Sequence, residues 1–255
     1  MNKRFMLWTA VLVMAAAWAV DRAYADVGEM VSLAAPVRNN SPSYSSRGKL
    51  ILVQSGERVF VCVGQVHYSV NGPRGRMYQN LVSEFVVDGP QGRQIIRPEF
   101  EKAFVNLERD IVYFFYRHTP QTKKLTAEKL SRRPVSVGDS IMLDVSYSRG
   151  DTKKGPQATA AKSDDGRWIG ALHGKGGQSG SPVRLASSGE IVAQFDSTAN
   201  DPTAKNDSYF NRLDFETVAA DLDAITSGRA AERGFQEVLP GGRVKGCENY
   251  AHYWN

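Results

Sequence analysis

Cysteine and histidine are both scarce: Cys62, Cys247 and four histidines are all that 255 residues contain. No H-E-x-x-H string occurs, so nothing offers the ligand spacing of a zinc site, and neither a metal nor another cofactor is expected. Low-complexity tracts are absent. With 42% hydrophobic and 23% charged residues, the composition excludes a collagen-like, coiled-coil or wholly disordered chain and allows one or at most two compact domains. A dominant charge sign is missing too. The formal +5 arises partly at the N-terminus, from Lys3, Arg4 and Arg22 against Asp21, and the rest is spread thinly along the chain. Phosphate binding needs a concentrated basic face, so no nucleic-acid partner is expected.

Long hydrophobic runs are lacking with one exception, Phe5–Val20, which is shorter than the ~20 residues that span a bilayer. Lys3 and Arg4 precede it, and Ala23-Tyr24-Ala25 supplies the small-x-small pattern of a signal peptidase site. Residues 1–25 therefore read as a signal peptide, with a retained membrane anchor as the alternative. The mature chain is expected from Asp26 onward, exported to the periplasm or the exterior and free of the membrane after cleavage. In an oxidising compartment Cys62 and Cys247 can form one disulfide tying the C-terminal tail to the body. Equally, Cys62 can be a buried thiol within its apolar run.

Short segments rich in β-branched and aromatic residues recur along the body: Lys49–Val53, Arg58–Val63, Leu81–Val87, Asp110–Tyr116, Ser140–Tyr147, Trp168–Leu172, Pro182–Leu185 and Glu190–Phe195. Ser-Gly, Asn-Gly and Asp-Gly pairs at 55–56, 71–72, 88–89 and 165–166 punctuate them, and Ser188-Gly189 joins the last two into a hairpin. This pattern predicts an all-β barrel or sandwich. One helix is expected near the end, where Phe215, Val218, Leu222 and Ile225 form an apolar stripe that Ser227-Gly228 stops. Residues 229–255 read as a C-terminal extension packed on the body.

The segment that carries chemistry is Gly176-Gly177-Gln178-Ser179-Gly180-Ser181-Pro182-Val183. It is short and clamped between apolar strands, unlike a linker. A nucleophilic serine needs such a turn, because glycines let backbone N–H groups point at a developing oxyanion. Gly177-Gln178-Ser179-Gly180-Ser181-Pro182 resembles the G-x-S-G-[SG]-P motif of the chymotrypsin-like serine peptidases, and with Val183 it is similar to the bacterial glutamyl-endopeptidase-like branch. The resemblance implies two packed six-stranded antiparallel β-barrels with a C-terminal helix, over a peptidase domain at 26–228. It implies hydrolysis of a polypeptide substrate by a monomer through an acyl-enzyme, with the triad order His, Asp, Ser.

Those roles fall on His67, Asp110 and Ser179, with Asp110 opening the apolar strand as in the family's D-[LI]-[AV] pattern. Backbone N–H groups of Gly177 and Ser179 then form the oxyanion hole. The other histidines fit less well. His118 requires the subtilisin order without its βα layers, and His173 stands too near Ser179 in sequence. His252 requires an α/β-hydrolase elbow, G-x-S-x-G, but Ser181 occupies the second glycine position. His173, six residues before the nucleophile, and the strand Gln194-Phe195-Asp196 are implied to line the substrate pocket. The lead-in Gly64-Gln65-Val66-His67 departs from the family's T-A-A-H. That departure keeps open a catalytically inactive binding protein of the same fold, and an esterase using the same serine is a third reading.

Overall fold

The computed structural model describes residues 31–34, 47–65, 85–89, 92–96, 98–125, 127–146, 152–175, 178–198 and 207–238. The N-terminal segment read as a signal peptide, Val66–Glu84 and the last residues from 239 lie outside them. In the first half the strands are β1 (Val31–Ala34), β2 (Arg47–Ser55), β3 (Val59–Gly64), β4 (Phe85–Gly89), β5 (Gly92–Ile96), β6 (Glu99–Asn106) and β7 (Ile111–Arg117). The second half holds β8 (Ser140–Ser146), β9 (Thr152–Thr159), β10 (Ala161–Lys162), β11 (Trp168–Gly170), β12 (Pro182–Leu185), β13 (Ile191–Thr198) and β14 (Ser208–Arg212). Helix α1 (Phe215–Thr226) and a last strand, β15 (Gln236–Val238), follow.

They build two antiparallel sheets, in the orders β15-β6-β7-β3-β2-β1-β4-β5 and β10-β11-β14-β13-β12-β8-β9. The all-β class with a C-terminal helix is thus as expected from the sequence. The described strands divide eight and seven between the sheets, because β15 returns after the helix to pair with β6.

The unbroken apolar run of β7 has a physical reason: both of its faces are buried. Val112, Phe114 and Tyr116 face one core with Leu50, Leu52, Phe60 and Cys62. Ile111, Tyr113 and Phe115 face a second core made with Val61, Val63, Leu130, Ile191, Leu213 and the helix residues Val218, Leu222 and Ile225. Burying each such side chain stabilises the fold by ~1.5–3 kcal/mol, and the helix is the cover that makes the outer face of β3 and β7 interior. A third core, including Ile141, Leu143, Leu172, Val183, Val192, Phe195 and Phe210, fills the second sheet.

Helix α1 starts where Asp214 accepts hydrogen bonds from the Thr217 backbone N–H (3.1 Å) and hydroxyl (2.9 Å). It stops at Ser227 and Gly228, whose φ of 78° is left-handed. The predicted stripe needs one correction. Phe215 is 39% exposed under the Arg132 guanidinium, 5.0 Å from its ring centroid, while Asp221 is fully buried on the inward face. Cys62 is fully buried in the first core, and burial pushes its thiol pKa upward. Cys247, the other half of the expected bridge, lies outside the described residues.

Candidate active site

Strands β3 and β7 pair from Val59 opposite Arg117 to Gly64 opposite Val112, so Gln65 and Asp110 emerge at one end and Arg58 and His118 at the other. At ~3.4 Å per residue, the eight steps along β7 keep His118 about 27 Å from Asp110. There His118 faces Ser55 Oγ (3.3 Å) and Thr122 Oγ1 (3.2 Å) and packs on Phe60, a local structural role.

Asp110 does not open the strand itself. It closes the turn before β7 with a left-handed φ of 49°, its N–H donating to Leu107 O at 3.3 Å. A non-glycine residue held there is strained unless its surroundings fix it. They do so from three sides. Gln194 Nε2, on β13 of the second sheet, donates to the Asp110 carbonyl at 3.3 Å. The neighbouring Arg109 donates from its backbone to Asn106 Oδ1 (2.9 Å) and from its guanidinium to Asp221 Oδ1 (2.9 Å). Asp221 also accepts from Tyr113 Oη (2.9 Å) and Arg233 Nε (2.7 Å), so the buried helix carboxylate braces the turn that presents Asp110. Burial pushes the Tyr113 hydroxyl pKa up, and the Asp221 charge adds to it. For Arg109, burial works against the charge and Asp221 more than offsets it.

Ser179 sits half-buried on the tight turn anticipated from its glycines. Gly180 takes φ 78° and donates to Phe195 O (2.9 Å), and Ser181 N–H donates to Gln178 O (2.9 Å). Buried Gln178 folds its side-chain oxygen back to accept from Lys175 N–H at 2.7 Å. Ser179 Oγ donates to the Asp196 main-chain carbonyl at 3.4 Å. Gly177, the other expected oxyanion donor, lies outside the described residues, as does His67.

Asp196 is where the predicted site residues meet. Besides the bond from Ser179, its carbonyl accepts from Gln65 Nε2 at 2.8 Å and its carboxyl Oδ1 accepts from the same nitrogen at 2.9 Å. Two residues earlier on β13, Gln194 holds the Asp110 carbonyl, which draws the Asp110 turn to the same end of that strand. Burial raises the Asp196 pKa above the ordinary carboxylate range, against the opposing effects of Asp110, Arg167 and Ser197. Asp110 and Ser179 are therefore both bonded to the short stretch Gln194–Asp196 of β13, at the junction of the two sheets. Of the other residues assigned to the pocket, His173 is exposed with φ 53°. Gln194 and Phe195 are fully buried, and the Phe195 ring lies directly under the Gly174 backbone. On the other side of Asp196 an open cleft of about 440 Å³ runs between Arg109, Arg167, Trp168 and Tyr209. The described residues hold no cluster suited to a metal ion.

Gln65 and Asp221 escaped the sequence reading. Asp221 had a signal, a carboxylate set three residues after Val218 and one before Leu222 on an apolar helix face. Gln65, a single amide after an apolar strand, had none.

No known protein family and no curated protein matches the chain. Solved structures do. Catalytically active tobacco etch virus protease complexed with product superposes with a TM-score of 0.54 at 15% identity, over 87% of this chain and 85% of that one. Protease Anisep from Arthrobacter nicotinovorans gives 0.54 at 10% identity, over 78% and 96%. The serine endoprotease from Yersinia pestis gives 0.51 at 12% identity, over 81% of this chain and 64% of that one. With its two antiparallel sheets and the helix that follows them, this chain has the chymotrypsin-like protease fold.

Proposed function

We propose that this chain is an exported serine endopeptidase of the glutamyl-endopeptidase-like branch, freed of residues 1–25 and acting as a monomer on polypeptide substrates. The observation that carries the reading is that Asp110 and Ser179 are both bonded to one stretch of β13, Asp110 through Gln194 and Ser179 through Asp196, at the junction of the sheets. Chain continuity adds His67: it follows Gln65 by two residues, which reach at most ~7 Å, and Gln65 is bonded into the same corner. In this reading Ser179 Oγ attacks the scissile carbonyl and His67 takes its proton. Asp110 holds the imidazole tautomer and stabilises the imidazolium. The N–H groups of Gly177 and Ser179 receive the oxyanion, where losing one donor typically raises the barrier by ~3 kcal/mol. Proton return to the leaving amine gives an acyl-enzyme, which water hydrolyses.

A fluorophosphonate probe tests this directly. Labelling of the wild-type protein that disappears in Ser179→Ala, together with peptide turnover lost in the same variant, is expected. A Ser179 that stays unlabelled in a stably folded protein overturns the reading in favour of an inactive binding protein of the same fold. Turnover of esters without peptides overturns it in favour of an esterase.

A further inference from the structure

Asp196 stands on β13 where the ladder to β14 slips its register, between Phe195 opposite Phe210 and Ser197 opposite Tyr209. A bulge re-aims a side chain that regular alternation would place elsewhere. Phe195 keeps its place in the core of the second sheet, while Asp196 lines the cleft of about 440 Å³ together with Tyr209 and Phe210. The walls of that cleft are rich in one charge: Arg109, Lys162, Arg167, Arg212 and Arg233 line it, against Glu108 and Asp196. We propose that the cleft is a carboxylate subsite, taking an acidic side chain of the polypeptide substrate that lies two or more residues from the scissile bond. This rests on the peptidase reading above and adds a second point at which the substrate is chosen.

The carboxylates that balance these cations stand mostly behind them. Arg109 and Arg233 both bond Asp221, Arg212 bonds Asp214, and both carboxylate side chains are fully buried. The three guanidinium side chains are 29%, 37% and 46% exposed, so their positive ends face the cleft and the negative ends face the core. Arg167 has a solvent-facing partner, Asp165, at 2.6 Å. Lys162 has no carboxylate partner among the described residues, and its ammonium donates to the Gly166 carbonyl at 2.9 Å. Partial burial and, after it, the Arg212 charge both lower the Lys162 pKa, so two cations repel each other within the cleft. A carboxylate set between them relieves that repulsion.

Aromatic rings hold the long cationic side chains in place before anything binds. Lys162 Nζ lies 3.9 Å from the Trp168 ring centroid, and the Arg167 guanidinium lies 3.6 Å from that of Tyr209. Trp168 stacks in turn on buried Phe210, with centroids 6.0 Å apart. Immobilising a mobile side chain on binding costs about 0.5–1.5 kcal/mol, and here that ordering is completed on folding instead. Asp196 sets the position relative to the nucleophile. Its carbonyl accepts from Ser179 Oγ at 3.4 Å, yet neither Ser179 nor Gly180 lines the cleft. Asp196 thus stands between the two, and the carbonyl that Ser179 attacks lies on its far side. An extended substrate advances ~3.4 Å per residue, so the side chain that enters the cleft belongs to a neighbouring position of the same peptide.

Peptides with a single glutamate in an otherwise neutral sequence, moved through the positions on each side of the scissile bond, test the placement. The wild-type protein is expected to favour glutamate at one position, two or more residues from that bond, by about tenfold in kcat/KM over the neutral peptide. A lone exposed ion pair gives up to about fivefold, and several cations act together here. Raising the salt concentration should shrink the preference. Lys162→Glu, which reverses an exposed charge, is expected to abolish it, and Lys162→Arg to keep it. A gain confined to the scissile residue, no gain at any position, or a preference unchanged in Lys162→Glu overturns the subsite while leaving the peptidase reading intact.

A second readout needs no turnover. On Ser179→Ala, fluorescence anisotropy of the labelled glutamate peptide is expected to show about tenfold tighter binding than the neutral peptide, a difference lost when Lys162→Glu is added. Equal binding of the two peptides overturns the subsite. Free glutamate that displaces the labelled peptide as well as the unlabelled peptide does also overturns it, because the cleft then takes a small anion and not a substrate side chain. A wild-type chain that binds the glutamate peptide selectively but cleaves nothing overturns the peptidase reading and leaves the cleft as the carboxylate site of an inactive protein.

Discussion

Replacing Gly174 by alanine tests whether the loop before Ser179 is held by steric fit. A Cβ built on Gly174 lies 2.2 Å from Phe195 Cε2 and 2.5 Å from Cζ, far inside van der Waals contact. The ring cannot swing away, because Phe195 is 1% exposed and packed with Val183, Val192 and Phe210. The opposite side is constrained as well, since Gly174 N–H donates to Ser208 Oγ at 3.0 Å. No left-handed φ is involved at this glycine, so the penalty is overpacking alone, about 1–3 kcal/mol. At roughly 2–4 °C per kcal/mol for a chain of this size, Gly174→Ala is expected to lower Tm by several degrees, read by calorimetry.

A double-mutant cycle isolates the cause. Phe195→Ala alone removes a buried ring and costs about 3–5 kcal/mol. Adding Gly174→Ala in that background should be nearly neutral, because the clashing atoms are gone. A Gly174→Ala penalty of the same size with and without the Phe195 ring refutes the argument.

Two further outcomes follow from named contacts. Asp221→Ala removes the buried carboxylate shared by Arg109, Arg233 and Tyr113, and the expected loss is about 3 kcal/mol in urea denaturation. Activity should fall more steeply than stability, since Arg109 carries the Asp110 turn. At the exposed turn before β11, the Asp165 carboxyl is held down to about 2, first by the Ser163 hydroxyl and then by the Arg167 backbone and guanidinium. Ser163→Ala should therefore move its titration up toward the ordinary carboxylate range, seen in the side-chain carboxyl chemical shift, and an unchanged titration would contradict that assignment.

Where one stretch of chain settles its own conformation, the structure was legible in the sequence. Ser188-Gly189 makes the expected hairpin, with Gly189 at φ 71°, and the aromatic run of β7 is as buried as its composition suggests. Strands that win their place by pairing were not legible. β9 carries Lys153, Lys154, Gly155 and Pro156, a poor strand by propensity. Yet β8 accepts it along its length, and the missing Gly155 side chain lets its backbone approach Leu143 O, where a Cβ would stand at 2.9 Å. β6 likewise hides its inward half behind Glu99, Glu101 and Lys102.

The site divides along the same line. The Ser179 turn is written in consecutive glycines and serines. The role of Asp196 depends on a register slip in one sheet and an amide from the other, and no local pattern encodes a meeting of residues separated by 131 positions.

The two bonds from Gln65 to Asp196 join one half of the molecule to the other. Neither half can keep the corner by itself. Mild denaturant, pressure or a pulling force that parts the halves by a bond length would silence the protein while each β-sheet is still intact, so inactivation should run ahead of any loss of β-structure signal. That seam, and not the strength of either sheet, then sets how long the protein keeps working under stress.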